Sequence, residues 1–255
     1  MAIAPDSSAT DDTPMVALTD VVVSFDGFKA LNINSFVVPR NQLRVVIGPN
    51  GAGKTTMCDV ISGKTRSASG KVEVNGVDVT RMADVEIARL GVGRKFQTPT
   101  IFDSLTVYEN MELALPGRRG IWKNLFGQES AEQREAILAI LDRVHLISDL
   151  YTPAKYLSHG QRQWLEISML IIADPKLLLV DEPAAGLTDK ETELTAELLN
   201  ELKGHHTLIV IEHDMDFVRR LNTRVTVLDN GQVLADGTLA EVQANAAVIE
   251  AYLGR

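Results

Sequence analysis

Gly48-Pro-Asn-Gly-Ala-Gly-Lys-Thr55 spells G-x-x-x-x-G-K-T and directly follows the apolar run Leu43-Arg-Val-Val-Ile47. A strand that runs into a glycine-rich turn and then a helix is the context in which this octet wraps a phosphate chain. Gly48, Gly51 and Gly53, with Pro49, Asn50 and Ala52 between them, let the backbone bend tightly enough to aim successive N–H groups at one anion. The helix that follows, opening with Lys54, Thr55 and Thr56, adds the positive end of its dipole. Lys54 has the reach to meet the outer phosphates, and the Thr55 hydroxyl is a ligand for Mg²⁺. The octet implies a bound nucleoside triphosphate on an α/β framework.

Composition narrows the setting. With 255 residues, 45% of them hydrophobic and 23% charged, the chain is long enough to bury a sizeable core. One α/β domain with an inserted subdomain accounts for that length as well as two domains do. A formal charge of −9 opposes a broad electrostatic grip on DNA or RNA. The single cysteine, Cys58, excludes an internal disulfide, suits a reducing compartment and is read as a packing thiol rather than a reactive one. No run reaches the roughly 18 to 20 apolar residues that span a bilayer. The nearest, residues 167–180, is broken by Asp174-Pro175-Lys176. Residues 1–14 are rich in Ala, Ser, Thr and Asp, with neither a basic start nor an apolar centre. They are expected to form a mobile tail ahead of a domain spanning residues 15–255.

Residues 16–36 alternate short β-type runs around Asp26-Gly27, and 71–79 read as a hairpin turning at Asn75-Gly76. Together they predict a small antiparallel sheet beside the nucleotide. The runs 45–47, 177–180 and 208–211 are wholly apolar instead, as expected for strands of a parallel sheet covered by helices on both faces. Between residues 105 and 174 the pattern turns helical, most clearly over 131–144, which predicts a helical subdomain at about 100–173. Asp229-Asn-Gly231 separates two late strands, and one short helix over 239–253 closes the chain.

Two further stretches carry chemistry. Leu177-Leu-Leu-Val-Asp181-Glu182 is an apolar strand ending in two acids. Asp181 is placed to hold the Mg²⁺ shell and Glu182 to polarise the water that attacks the γ-phosphate. The bland alternative is an acidic, solvent-exposed strand end. Leu157-Ser-His-Gly-Gln161 opens a helix bearing Trp164, Ile167 and Ile171. Ser158 and Gln161 form an S-x-x-Q capping box, yet a helix start with Ser158 and Gly160 in its first turn is also an anion site.

Here the chain resembles the ATP-binding cassette family, whose Leu-Ser-Gly-Gly-Gln signature matches residues 157–161 in four of five positions, with His159 in place of a glycine. The resemblance covers about residues 16–255 and implies the P-loop ATPase fold of that family: a mostly parallel sheet, an antiparallel β subdomain and a helical insertion. It implies that Ser158, Gly160 and Gln161 touch a nucleotide held by a second ATPase subunit, identical or paralogous. Gln97, in Gly91-Val-Gly-Arg-Lys-Phe-Gln97, resembles the residue that senses Mg²⁺ and the attacking water. His213 resembles the switch histidine that bonds the γ-phosphate, and Phe25 stands where the family stacks an aromatic ring on adenine, although a core position in the antiparallel sheet is the competing reading. Thr188, in Pro183-Ala-Ala-Gly-Leu-Thr-Asp189, departs from the usual aspartate of a loop that crosses the dimer, and Asp189 is a candidate substitute.

Within the family, residues 93–110 and the ending Val248-Ile-Glu-Ala-Tyr-Leu-Gly254 resemble the branched-chain amino acid importer group, and the string Leu157-Ser-His-Gly-Gln-Arg-Gln-Trp-Leu-Glu-Ile167 is similar to the ATPase subunit of urea importers. The resemblance therefore implies an ATP- and Mg²⁺-dependent hydrolase on the cytoplasmic face of a bacterial inner membrane. It would work with integral membrane permease subunits and, indirectly, a solute-binding protein, and drive uptake of urea or a short-chain amide. The alternatives are branched-chain amino acid import, a soluble cassette ATPase acting on ribosomes or DNA, and a module that binds ATP without turnover. Intact Glu182 and His213 oppose the last; the negative charge and single cassette oppose a nucleic-acid role.

Overall fold

Alternating burial along β1 (Val16–Phe25) and β2 (Phe28–Val38) makes these strands the two sides of a hairpin with one face inward. The connecting residues Asp26 and Gly27 both have left-handed backbones, at φ 48° and 85°, the combination that matches the twist of the flanking strands. The computed structural model describes residues 13–95, 101–116 and 130–253, so most of the expected N-terminal tail lies outside the described residues. Two further strands complete an antiparallel sheet in the order β2-β1-β4-β5, with β4 (Ser69–Val74) and β5 (Val77–Asp78) joined at Asn75-Gly76 as the sequence predicts.

The second sheet holds β3 (Leu43–Ile47), β6 (Val92–Lys95), β7 (Leu177–Asp181), β8 (Thr207–Ile211), β9 (Arg224–Asp229) and β10 (Gln232–Thr238) in the order β10-β9-β3-β8-β7-β6. All neighbours are parallel except β10, which returns antiparallel on β9. Every residue of β3, β7 and β8 is buried, which is why their sequences show no alternation.

One apolar core fills the space between the two sheets and takes in Met57, Cys58 and Ile61 of α1 (Lys54–Ile61) and Ile87 of α2 (Asp84–Arg89). Burial pushes the Cys58 thiol up to about 12, so at neutral pH it is a protonated packing group. A third helix, α3 (Val107–Ala114), together with α4 (Ala131–Arg143) and α5 (His159–Ile172), surrounds a separate apolar cluster with Ile137, Leu141 and Leu165 at its centre. On the far face of the parallel sheet lie α6 (Asp189–Leu202), α7 (Met215–Leu221), α8 (Leu239–Ala244) and α9 (Ala246–Leu253). The single closing helix expected over 239–253 is thus two. The chain breaks at Asn245, an extended residue whose Oδ1 accepts from the N–H groups of Ala247 and Val248 and starts a new helix.

Strand register sets the functional edge. Val46 and Asp181 both pair with Ile211, so β3, β7 and β8 finish side by side. The loops at 48–53, 182–188 and 212–214 therefore leave the same carboxyl edge of the sheet, where open α/β sheets bind ligands.

Candidate functional site

Gly53 is the cap of α1 and has a left-handed backbone, φ 98°. A Cβ there would come within 2.6 Å of the Ala30 carbonyl oxygen on β2. The loop is also held from the opposite side: Gly231 N–H donates to the Ala52 carbonyl at 3.0 Å, while the Gly231 carbonyl accepts from Asn32 N–H at 2.7 Å. The Asp229-Asn-Gly231 turn, read from sequence only as punctuation between strands, ties the phosphate loop to the antiparallel sheet. Gly53→Ala is expected to lower stability by about 2 kcal/mol or more, through the left-handed backbone and the contact with β2, as measured by urea denaturation. Lys54 Nζ spans the loop and donates to the Gly48 and Pro49 carbonyls at 2.7 and 3.0 Å. Burial lowers its pKa, and the facing charges of Glu182 and Asp181 oppose that shift.

Thr55, on the next residue of α1, donates its hydroxyl to Asp181 Oδ2 at 3.3 Å. Asp181 is buried at the end of β7, and its pKa is raised, first by burial and then by the neighbouring Glu182. Its other oxygen, Oδ1, is buried without a hydrogen-bond partner among the described residues. A hydroxyl beside a carboxylate with one unsatisfied oxygen fits Mg²⁺, which takes few protein ligands and completes its octahedron with phosphate and water. Such a site does not need a cluster of three or more acidic, His or Cys groups, and none occurs among the described residues.

Glu182 follows with φ 49°, a left-handed conformation uncommon for a residue with a side chain. Its carboxylate remains partly exposed and lies 3.6 Å from His213 Nδ1. His213 comes from the loop after β8, so the paired register brings base candidate and switch candidate together. Next to His213 in the chain stands a residue that sequence reading passed over. Glu212 is 1% exposed, and its carboxylate accepts from the backbone N–H groups of Ala184 at 2.9 Å, His213 at 3.0 Å and Asp214 at 3.4 Å. Burial raises its pKa, and these three donors oppose the shift. The available signal was a charged residue ending the wholly apolar run 208–211, directly before the histidine.

The residues of the 158–161 motif form a separate group. Ser158 caps α5: its hydroxyl accepts from Gln161 N–H at 3.2 Å, and its own N–H donates to Gln161 Oε1 at 2.9 Å. The capping reading is therefore correct as local structure. Gln161 Nε2 continues to Asp149 at 3.0 Å. Gly160 packs so closely on Glu191 of α6 that a side chain would run into that carboxylate. Thr188 has an equally local explanation. It caps α6 in a T-x-x-E box, accepting from Glu191 N–H while Glu191 Oε2 accepts from Thr188 N–H at 2.9 Å. Threonine and aspartate are both N-cap residues, so the departure from aspartate keeps the turn. Asp189 is simply the first helical residue.

Phe25 is 50% exposed and Phe28, its partner across the hairpin, 68% exposed, so the alternative of a core Phe25 is ruled out. Gln97 lies outside the described residues. The strand leading to it is anchored by Arg94, which forms an ion pair with Asp59 of α1 and donates to Ser62 Oγ at 2.8 Å, and by Lys95, which pairs with buried Glu166 of α5 at 3.7 Å. The structure thus brings Lys54, Thr55, Asp181, Glu182 and His213 to one sheet edge and gathers Ser158, Gly160 and Gln161 at a distinct helix end.

Comparison with known proteins identifies the family. A match to the ABC transporter family spans residues 31–185, more than half of the chain. The chain belongs to the ATP-binding cassette transporter family. It is an ABC ATPase, and its hydrolysis of ATP is coupled to transport. A second match, to the family described as branched-chain amino acid ATP-binding cassette transporter, covers residues 232–255. The chain is 34% identical over 250 residues to the high-affinity branched-chain amino acid transport ATP-binding protein LivG of Salmonella typhimurium, covering 94% of this chain and 98% of that one. Among solved structures it resembles the ADP conformation of an ABC-transporter cassette at TM-score 0.80 and 31% identity, covering 95% of this chain and 100% of that one. It also resembles a dimeric post-hydrolysis cassette bound to ADP and phosphate, at TM-score 0.74 and 27% identity over 88% of this chain and 99% of that one. The cassette fold expected from the sequence is the fold observed. The expectation of a urea importer, drawn from the string at residues 157–167, is not supported: the matched relative and the second family match are both of the branched-chain type.

Proposed function

We propose that this ABC ATPase is the motor subunit of an importer for branched-chain amino acids or close small solutes, and that it works as one half of a nucleotide-sandwich dimer. The observation that carries the reading is the split of the site. Phosphate-loop, acid and histidine groups share one sheet edge, while the Ser158 helix end is built and capped elsewhere, as a half-site needs. In each half, Lys54 and the loop N–H groups bind the triphosphate and Phe25 stacks on the base. Ser158, Gly160 and Gln161 of the facing subunit close over the γ-phosphate. Mg²⁺, held by Thr55 and Asp181, supplies charge neutralisation on the outer phosphates. Glu182 takes a proton from the attacking water, and Gln97 and His213 hold that water and the developing charge in place. ATP favours the closed dimer over the open one, and that difference in affinity does the mechanical work.

No described helix is long and apolar enough to cross a membrane. We assign the chain to the cytoplasmic face of a bacterial inner membrane, held there by permease subunits. The described residues of the helical part, 101–116 and 130–173, supply a docking surface with Phe102, Tyr151 and Tyr156 exposed. These residues lie on two segments joined by the hydrogen bonds from Ala154 N–H to Leu105 O and from Lys155 N–H to Asp103 O. The deciding experiment reconstitutes the transporter that co-purifies with this chain and measures ATP-driven uptake of labelled leucine and labelled urea. Leucine uptake supports the reading, urea uptake restores the importer suggested by the His159 string, and no membrane partner at all removes the transport reading.

A further inference from the structure

Residues 182–185 form a turn whose backbone groups are all accounted for. Glu182 N–H donates to Ile211 O at 3.0 Å, Ala184 N–H to the Glu212 carboxylate at 2.9 Å and Ala185 N–H to Glu182 O at 3.3 Å, while Pro183 has no N–H to place. The Ala184 carbonyl accepts from Leu187 N–H at 3.2 Å. The other carbonyls are taken by side chains of α5. Gln163 Nε2 donates to Pro183 O at 2.7 Å and to Glu182 O at 3.4 Å, and His159 Nε2 lies 3.2 Å from Ala185 O. His159 and Gln163 are four residues apart, one above the other on the same face of the helix.

Gln163 is 7% exposed and borders a cavity of about 260 Å³ shared with Asp181, Glu182, Lys95 and Glu166. Its orientation is fixed: reversing the amide would set Oε1 against two carbonyl oxygens. As placed, Oε1 has no partner among the described residues, so the amide is held by what its nitrogen does. A left-handed Glu182 persists only where its surroundings over-determine it, and this clamp is what surrounds it.

We propose that Gln163 is a positioning residue for hydrolysis: its amide aims the turn that carries Glu182, so that the start of α5 sets the geometry of the base in its own subunit. This rests on the reading of Glu182 as the base and of the α5 start as the end that grips the neighbour's nucleotide. On that reading, engagement of Ser158 at one site is felt through Gln163 at the other, within a single chain. Gln163 acts on the backbone of the turn, and a shift of about 1 Å in a reacting group is enough to change turnover by orders of magnitude.

The test uses the transporter purified with this chain from its native membrane. Gln163→Met keeps length and volume and removes the donor; Gln163→Asn keeps the amide and shortens its reach. Both are expected to lower kcat for ATP about 10- to 100-fold, with KM within twofold and the melting temperature of the chain lowered by no more than a few degrees. The double variant Glu182→Gln with Gln163→Met is expected to form the ATP-dependent dimer as readily as Glu182→Gln alone. Unchanged kcat in both single variants overturns the proposal. So does a fall in kcat accompanied by matching losses of nucleotide affinity and melting temperature, which marks a structural role, and so does failure of the double variant to dimerise. Glu182→Gln measured alongside separates the layers: full turnover there removes the base assignment and the clamp with it, whereas silence there with normal turnover in Gln163→Met removes the clamp only.

Discussion

Glu182→Gln is expected to retain ATP binding and to lose turnover by about 10²- to 10⁴-fold, the range typical of a missing general base. The substitution preserves side-chain length and leaves the backbone hydrogen bond from Glu182 N–H to Ile211 untouched. It removes the one group at the end of β7 that is exposed enough to meet water, since its neighbour Asp181 is buried against Thr55. Without hydrolysis, nothing opens the nucleotide sandwich, so the variant should elute as an ATP-dependent dimer in gel filtration while the parent chain does not accumulate in that form. A single-turnover assay decides it. Hydrolysis at the parent rate would show that another group activates the water.

Lys54→Ala is expected to act one step earlier. Lys54 is the cation that faces both Asp181 and Glu182, and it bridges the two ends of the loop through the Gly48 and Pro49 carbonyls. Its loss removes the loop's own positive charge where a polyanion must dock, and leaves Arg94 and Lys95 of β6 acting on Asp181. The expected result is a fall in ATPase activity of about 100- to 1,000-fold, the scale for removing one preorganised charge-stabilising group, together with weakened nucleotide binding by equilibrium titration. Lys54→Arg separates charge from shape: the planar fork keeps the charge and cannot occupy the compact position between two carbonyls, so it too should fail. Parent-level activity in Lys54→Ala would remove the argument from the phosphate loop altogether.

The two variants divide the site as the sequence does. The phosphate loop and the acidic strand end are local features, each carried by consecutive residues, and both were legible before any coordinates. The antiparallel hairpins were legible for the same reason, because Asp26-Gly27 and Asn75-Gly76 demand left-handed backbones that few other pairs accept. The wholly apolar runs announced buried parallel strands, and the strands found are buried at every position. Where the reading fell short, the missing information was non-local. Glu212 looks like one more charged residue at a strand end until the 182–185 turn is laid over it. Gly231 looks like a hairpin glycine until its two hydrogen bonds reach β2 and the phosphate loop. The split of the closing helix at Asn245 was missed because Asn is only mildly unfavourable inside a helix, and it is the bonds to Ala247 and Val248 that decide for a cap.

By itself the sequence picked out the candidate residues for a phosphate site and the strands that lie in the middle of a sheet, because glycine conformations, capping residues and apolar runs act over a few consecutive positions. Only the tertiary structure decided who stands next to whom. The parallel register ends β3, β7 and β8 level with one another, and this sets Lys54, Asp181, Glu182 and His213 on one edge. Packing of α5 against that edge delivers Gln163 and His159 to the backbone of the turn that carries Glu182. Those contacts join residues far apart in the chain, and no local preference encodes them.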